Sequence, residues 1–261
     1  MPNLKFIQLL SSGHDHMLNT PVFSDPSIPA ASSSGVAARA IAQHSVLQIL
    51  SFAHSYPKAL QVLEKKKHWI EADEWPFQTV LEGARVGIMG YGAIGRQGLV
   101  LPGSDDAAMG DREGVLPSEW HSGDTKANLH KFLGADLDYL AIFAPLTETT
   151  MHSLGREEFD LLGQQKKPFL LNVSRGKIVV QDEMIAALKD GRLAGAALDV
   201  ADPEPLPAEN ELWRLPNVTL TSHMAWAYKE YMDDALKIFA ENLARLEKGE
   251  RLLNEVDRRT H

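Results

Sequence analysis

The sequence contains no cysteine. Disulfide bonds, thiolate nucleophiles and cysteine-ligated zinc are therefore excluded. It also has no apolar run near the roughly 20 residues that a membrane-spanning helix needs. Met1-Pro2-Asn3 leads straight into a short apolar run, without the charged start of a signal peptide. We therefore expect a cytoplasmic protein that has no membrane partner.

Positively charged residues are also few. The sequence has 26 Lys and Arg against 35 Asp and Glu, which gives a net charge of −9. A field of that sign repels polyanions, so nucleic acid is not an expected partner. Small anionic substrates are not excluded, because the local charge inside a pocket decides their binding. The hydrophobic fraction of 44% is sufficient for a packed core. A length of 261 residues allows one large domain or two smaller ones.

Apolar runs alternate with helical patterns along most of the chain. Strands are predicted at residues 85–89, 137–143, 169–173, 193–200 and 218–222. Helices are predicted between them at 156–166 and 182–189. Such alternation predicts an α/β fold built on a doubly wound parallel sheet. Two short apolar runs near the start, 4–11 and 28–33, predict a small separate β-α-β layer.

Two longer helices complete the prediction. The first begins near Val36, ends around Tyr56-Pro57 and is apolar on more than one face. A helix of that kind is buried on more than one side, against the core or against a second subunit. We therefore predict a homodimer whose interface is built on this helix. The second runs from Tyr228 to Leu246 with one apolar face.

The strand at 85–89 runs into a glycine-rich motif. The motif Gly90-x-Gly92-x-x-Gly95 allows a tight turn, close approach of a pyrophosphate, and close packing of the next helix, respectively. Backbone N–H groups around Ala93 and Ile94 would bind the anion at the start of that helix. The motif predicts a dinucleotide site.

The chain after Gly95 is too short for the usual continuation. Six residues separate Gly95 from Pro102, fewer than a helix and a second strand require. Three aspartates follow without a strand to place them, so we expect loop carboxylates at Asp105, Asp106 and Asp111. The sequence therefore predicts that a dinucleotide binds weakly or not at all, unless a segment within 103–126 replaces the missing wall. The choice between NAD and NADP stays open, because residues after the second strand decide it.

Three polar segments follow successive strands, at 172–176, 202–207 and 222–226. They meet at the carboxyl edge of a parallel sheet, where ligands bind. Arg175 can grip a carboxylate through two hydrogen bonds. His223 suits acid–base work near neutral pH, and a carboxylate such as Glu204 fixes the tautomer of a histidine. We therefore predict Arg175, Glu204 and His223 as the catalytic set.

These segments resemble the D-2-hydroxyacid dehydrogenase family. Each motif alone is weak, but the ordered set is specific and covers nearly the whole chain. The matching stretches are 12–15, 90–95, 145–147, 172–176, 197–200, 202–207 and 222–226.

The resemblance implies an oxidoreductase that moves a hydride between NAD or NADP and a small D-2-hydroxy or 2-keto acid. Ser12, Gly13 and His14 would present backbone groups to a substrate that Arg175 and His223 also bind. Asp199 would contact the nicotinamide amide. The implied cofactor-binding residues are Gly90, Gly92, Ala93, Ile94, Gly95, Pro145, Thr147, Val173, Ser174, Arg175, Asp199 and His223.

The implied architecture is a Rossmann-like domain with a partial, flavodoxin-like substrate domain. We expect residues 1–35 in the substrate domain, 36–225 in the dinucleotide-binding domain with its dimerisation helix, and 226–261 in a helix that returns to the substrate domain. Against the family pattern, the chain looks truncated at its start and after the glycine loop. A non-catalytic, corepressor-like dinucleotide-binding protein is therefore the alternative. No metal site is expected, because no further ligand cluster accompanies His14-Asp15-His16.

Overall fold

A five-stranded parallel sheet forms the centre of the computed structural model, which describes residues 3–17, 20–69, 71, 78–97 and 110–256. The strands lie in the order β3-β4-β5-β6-β7. Their bounds are β3 Val86–Met89, β4 Tyr139–Ile142, β5 Phe169–Asn172, β6 Gly195–Leu198 and β7 Val218–Leu220. All residues of β4, β5 and β6 are buried, as expected of strands with helices on both faces.

Helices cover both faces of this sheet. They are α1 Ala38–Ala53, α2 Tyr56–Lys66, α3 Ala93–Gln97, α4 Lys126–Leu133, α5 Arg156–Gly163, α6 Gln181–Lys189 and α7 Tyr231–Lys248. On one face Leu133, Phe159 and Met184, from α4, α5 and α6, share one apolar core. On the other face Phe52 of α1 stacks on Phe169 with ring centroids 4.2 Å apart, and α3 packs against α1.

The chain changes faces between α3 and α4, beside the carboxyl ends of β3 and β4. This confirms the predicted doubly wound fold, and ligands bind at such a switch point.

A second, two-stranded parallel sheet carries the start of the chain. It consists of β1 Ile7–Gln8 and β2 Ala30–Ala31. The end of the chain packs on it, because Val256 N–H donates to the Ala30 carbonyl at 2.8 Å. Phe6 also stacks on Phe239 of α7 with centroids 5.9 Å apart. The two ends of the chain therefore share one small unit.

Two details of the predicted elements were wrong. Helix α1 ends at Ala53, before the predicted Tyr56-Pro57, and Pro57 instead lies in the first turn of α2. Proline is tolerated there because the first turn does not use its N–H. Helix α4 was not predicted, although Thr125 caps it by accepting from the Asn128 N–H at 3.2 Å. None of the helices in the described ranges is long and apolar enough to cross a membrane.

Candidate active site

The predicted histidine and its predicted carboxylate partner lie together. His223 follows β7, and its Nδ1 lies 2.9 Å from Glu204 Oε2, with both side chains about two-fifths exposed (42% and 38%). The second oxygen of Glu204 accepts the Ala201 N–H at 2.9 Å. With Glu204 ionised, Nδ1 is the protonated nitrogen, so Nε2 is the ring atom left for a substrate.

A buried carboxylate fixes the loop that carries this histidine. Asp199, at 3% exposure, accepts from the Thr221 hydroxyl at 2.5 Å and from the Met224 and Ala225 N–H groups at 2.9 Å each. The Asp199 carbonyl accepts the His223 N–H at 2.7 Å. His223 itself has φ 52°, a conformation that needs such outside support. The predicted contact of Asp199 with the nicotinamide amide stays a prediction.

Arg175, which follows β5, is held by the loop after β1. Its Nε and Nη2 donate to Asp15 Oδ1 at 3.1 and 2.9 Å, and its Nη1 donates to the Ser174 carbonyl at 2.8 Å. Partial burial on its own would raise the pKa of Asp15, but the hydrogen bond and charge of Arg175 outweigh it and lower that pKa. The loop 12–14 that resembles a substrate loop therefore lies next to the arginine predicted to bind substrate.

The glycines of the loop after β3 have different surroundings. Gly90 has φ 97°, and a Cβ there would lie 2.5 Å from the Ala144 nitrogen. A Cβ on Gly95 would lie 2.7 Å from the Gly90 carbonyl, so helix α3 can approach only because Gly95 is small. A Cβ on Gly92 would meet no atom of the described residues within 4 Å. Gly92 thus borders open space, which fits a ligand that approaches the backbone.

The remaining predicted cofactor contacts also lie after strands. Ala93 and Ile94 form the start of α3. Val173 is buried, and the Ser174 hydroxyl donates to the Ala144 carbonyl, tying the ends of β4 and β5 together. The loop after β4 is ordered by Thr150, whose hydroxyl donates to the Pro145 carbonyl at 2.7 Å and accepts the Thr147 N–H at 2.8 Å. His14 of the substrate loop lies beside Phe23, with ring centroids 6.0 Å apart.

Asp111 was predicted as a loop carboxylate, and it lies in a loop, but it is buried. It accepts from the Tyr91 hydroxyl at 2.6 Å and from the Val115 and Leu116 N–H groups at 3.0 and 3.1 Å. Burial alone would raise the pKa of Asp111, but these hydrogen bonds outweigh it and lower that pKa. Residues 110–116 are therefore anchored to Tyr91 of the glycine loop.

This anchored segment borders a cavity of about 830 Å³ beside β3. Residues 84–91 line one side and residues 116–126 the other. Trp120 stands edge-on to Tyr91 with centroids 5.2 Å apart. Within the described ranges, no strand pairs with the edge of β3 that faces away from β4. The lining also includes Leu129 and Phe132 of α4. Asp105 and Asp106 lie outside the described residues.

One cluster in the described part of the chain has the spacing of metal ligands: His130, Glu157 and Glu158. His130 Nε2 lies 2.7 Å from Glu158, and the Lys126 ammonium lies 2.6 Å from Glu157. The lysine already supplies a cation to this cluster, which therefore behaves as an ion-pair network.

Sequence reasoning missed Asp15 and Tyr91 as parts of the site. Asp15 ends the matching stretch 12–15 but was given no role of its own, because it lies 160 positions from Arg175 and no local pattern indicates that pairing. The only signal at Tyr91 was its place inside the glycine motif.

Comparison with known proteins points in one direction. The family model described as "D-isomer specific 2-hydroxyacid dehydrogenase, NAD binding domain" matches residues 46–225, more than half of the chain. A glyoxylate reductase of Thermofilum pendens is 32% identical, over 95% of this chain and 74% of the relative. A glyoxylate/hydroxypyruvate reductase A of Escherichia fergusonii is 30% identical, over 98% of this chain and 81% of the relative.

Solved structures agree with this. An NADPH-dependent glyoxylate/hydroxypyruvate reductase from Sinorhizobium meliloti, in complex with NADP and sulfate, superposes with a TM-score of 0.78 at 26% identity, covering 99% of this chain and 80% of that one. A protein of the same family from Klebsiella pneumoniae gives a TM-score of 0.74 at 30% identity, with the same coverage.

Proposed function

The chain belongs to the D-isomer specific 2-hydroxyacid dehydrogenase family, and we propose that Arg175, Glu204 and His223 are its catalytic set. It is an oxidoreductase that uses NAD or NADP to interconvert 2-hydroxy and 2-keto acids. The observation that carries the proposal is the 2.9 Å contact between His223 Nδ1 and Glu204 Oε2, next to a loop that Asp199 holds in place.

In the proposed reduction, the bound nicotinamide supplies the hydride. His223 donates the proton on Nε2 to the substrate carbonyl oxygen as that oxygen gains negative charge. Glu204 accepts the hydrogen bond from His223 Nδ1 and stabilises the imidazole ring while the ring carries a proton on both nitrogens. Arg175 binds the substrate carboxylate, and Ser12, Gly13 and His14 offer backbone groups. In the oxidation the same histidine removes the hydroxyl proton.

The residues after β3, β4 and β5 fit a dinucleotide. A Cβ at Gly92 would meet no described atom, and Gly90 makes a turn that only glycine fits. Together they leave room for a pyrophosphate against the backbone. We propose the cofactor contacts at Gly90, Gly92, Ala93, Ile94, Gly95, Pro145, Thr147, Val173, Ser174, Arg175, Asp199 and His223.

The relatives' names suggest the substrate. Glyoxylate and hydroxypyruvate are small 2-keto acids, so we propose that this chain reduces one or both. The test is loss of the reduced-nicotinamide absorbance with each acid, using NADPH and NADH separately. Turnover of neither acid, under conditions where the protein is folded and cofactor-saturated, would remove the proposed substrates.

The alternative is a non-catalytic dinucleotide-binding protein. It is favoured by the open edge of β3 in the described part of the sheet, since a second strand would normally extend the sheet there. The same assay distinguishes the two, because such a protein binds the cofactor without oxidising it.

We propose a homodimer built on α1. Three of its apolar side chains, Val46, Leu47 and Leu50, are 41%, 58% and 41% exposed, and clustered exposed apolar groups mark interfaces. We expect light scattering at micromolar concentration to give twice the 28.8 kDa chain mass, and Leu47→Glu to give the monomer mass, because a charge would be buried at the interface. A monomeric wild-type protein contradicts the proposal.

The domain division and location remain part of the proposal. We place residues 1–35 in a substrate domain, 36–225 in the dinucleotide domain and 226–261 in a returning segment. The contacts of Phe239 and Val256 with the first unit support that return. The proposed location is the cytoplasm.

A further inference from the structure

We infer that Asp15 is a positioning residue for Arg175: it holds the Nε–Nη2 edge of the guanidinium so that the Nη1–Nη2 edge is presented to the substrate carboxylate. This rests on the proposed role of Arg175 in binding substrate. It adds a residue whose side chain does not touch the reacting atoms but orients the group that does.

The first step counts the N–H donors of the Arg175 guanidinium that its neighbours leave free. A guanidinium has five N–H donors in a fixed planar fork. Asp15 Oδ1 engages one on Nε and one on Nη2, and the Ser174 carbonyl engages one on Nη1. Within the described residues, one hydrogen therefore remains on each terminal nitrogen. Two hydrogens on neighbouring nitrogens are what a carboxylate needs for a two-point contact.

The second step is the fixed position of Asp15 itself. It opens a short 3-10 turn, Asp15–Met17, closed by the Met17 N–H donating to the His14 carbonyl at 2.9 Å. The preceding residues are also tied, because the Ser11 hydroxyl donates to the Gly13 carbonyl at 2.8 Å and the Ser12 hydroxyl to the Ser33 carbonyl at 3.3 Å. A carboxylate on a tied loop can direct a long, flexible arginine.

The third step is the contact between Arg175 and Gly13. A Cβ on Gly13 would lie 1.7 Å from Arg175 Nη2. The guanidinium therefore lies directly against the backbone of the loop that we propose to hold the substrate. Glycine permits that approach, and Asp15 two residues later fixes it.

Asp15 is not expected to compete with the substrate for Arg175. Both of its hydrogen bonds go to one oxygen on the Nε side of the guanidinium. A substrate carboxylate on the terminal edge does not have to displace it. Its lowered pKa keeps Asp15 ionised throughout the neutral range.

The test compares Asp15→Ala with Asp15→Asn, which keeps one acceptor oxygen. The readouts are kcat and KM for glyoxylate in excess NADPH, and the calorimetric Kd of oxalate, an unreactive carboxylate probe. We expect Asp15→Ala to raise both the KM and the oxalate Kd about tenfold, with kcat within about twofold, because one charge-assisted hydrogen bond is lost. Asp15→Asn should recover most of the loss.

Two further variants complete the design. Gly13→Ala should raise KM and the oxalate Kd in the same way with little change in Tm, since only the flexible end of Arg175 must move. Asp190→Ala is the matched control, because it removes a carboxylate bound to another arginine, Arg192 at 2.7 Å, at the opposite edge of the sheet. It should leave both readouts unchanged.

The outcomes separate the two proposals. A lower KM and oxalate Kd in both Asp15 variants would show that Asp15 competes with the substrate, and unchanged values would remove any role; either result overturns the inference. If wild-type protein binds oxalate but does not reduce glyoxylate, the proposed substrate fails while the oxalate titrations still test Asp15. If oxalate does not bind, Arg175 is not a carboxylate site and both proposals fall.

Discussion

Replacement of His223 by alanine is expected to lower kcat for a 2-keto acid by about 100- to 10,000-fold, the range that general acid–base groups contribute. The variant loses the only proton donor that we place at the carbonyl oxygen. It loses one proposed contact but keeps the glycine loop and Arg175, so the Kd of the cofactor and the Kd of oxalate should rise far less than kcat falls. The effect therefore falls on kcat rather than on binding.

Two companion variants make this result specific. Glu204→Gln keeps a hydrogen-bond acceptor for His223 Nδ1 but loses the charge, so it should lower kcat less than His223→Ala does. His68→Ala serves as the control, since His68 is exposed on the connection after α2, with its Nδ1 3.0 Å from the Lys66 carbonyl. Unchanged turnover in His223→Ala would remove His223 from the mechanism.

The fold could be predicted because its central strands are buried and therefore have apolar sequences. Strands β4, β5 and β6 are buried throughout, so they appear as continuous apolar runs that alternate with helices. His223 and Glu204 could be paired from sequence because both follow neighbouring strands of a parallel sheet, β7 and β6, at the same edge. Topology alone brings such residues together, before any side-chain detail is known.

Contacts between distant loops were not predictable in this way. Asp15 meets Arg175 across 160 positions because the first unit lies against the sheet edge, and no periodic pattern encodes that approach. Asp111 was dismissed as a loop carboxylate because no strand surrounds it. Its burial comes from Tyr91 and from its own turn, which satisfy its oxygens without regular structure. Helix α4 was missed because its eight residues show only a short apolar face.

We expect NADH and NADPH to bind the wild-type chain weakly, with a Kd of about 1 mM. In the described part of the sheet no second strand lies beside β3, and that is the strand whose end normally holds the adenosine ribose. Losing the charge-assisted hydrogen bond to the ribose costs about 1.5–3 kcal/mol. This loss weakens cofactor binding roughly ten- to hundredfold relative to a site that keeps that bond. Calorimetric titration with both cofactors measures the Kd directly.

Gly92→Val tests whether the weak binding that remains uses the glycine loop. A Cβ at Gly92 would meet no atom of the described residues within 4 Å, so we expect Gly92→Val to leave Tm close to that of the wild type. The valine would instead fill the space left for the pyrophosphate. We therefore expect the variant to lose detectable cofactor binding, and retained binding would place the cofactor elsewhere.

A micromolar Kd in the wild type would contradict the expected weakness and point to the anchored segment 110–116 as a substitute wall. In that case Asp111→Ala should weaken binding strongly, because it releases the Tyr91 hydroxyl and the Val115 and Leu116 N–H groups together. The pKa of Asp111 is lowered in the fold, so its stabilising contribution is complete above the ordinary carboxyl pKa, about 3.9, and is lost only as the pH falls through the lowered value. Affinity carried by this segment should therefore be constant across neutral pH and should fall in Asp111→Ala, and a micromolar Kd that survives Asp111→Ala would show that the segment is not the substitute wall.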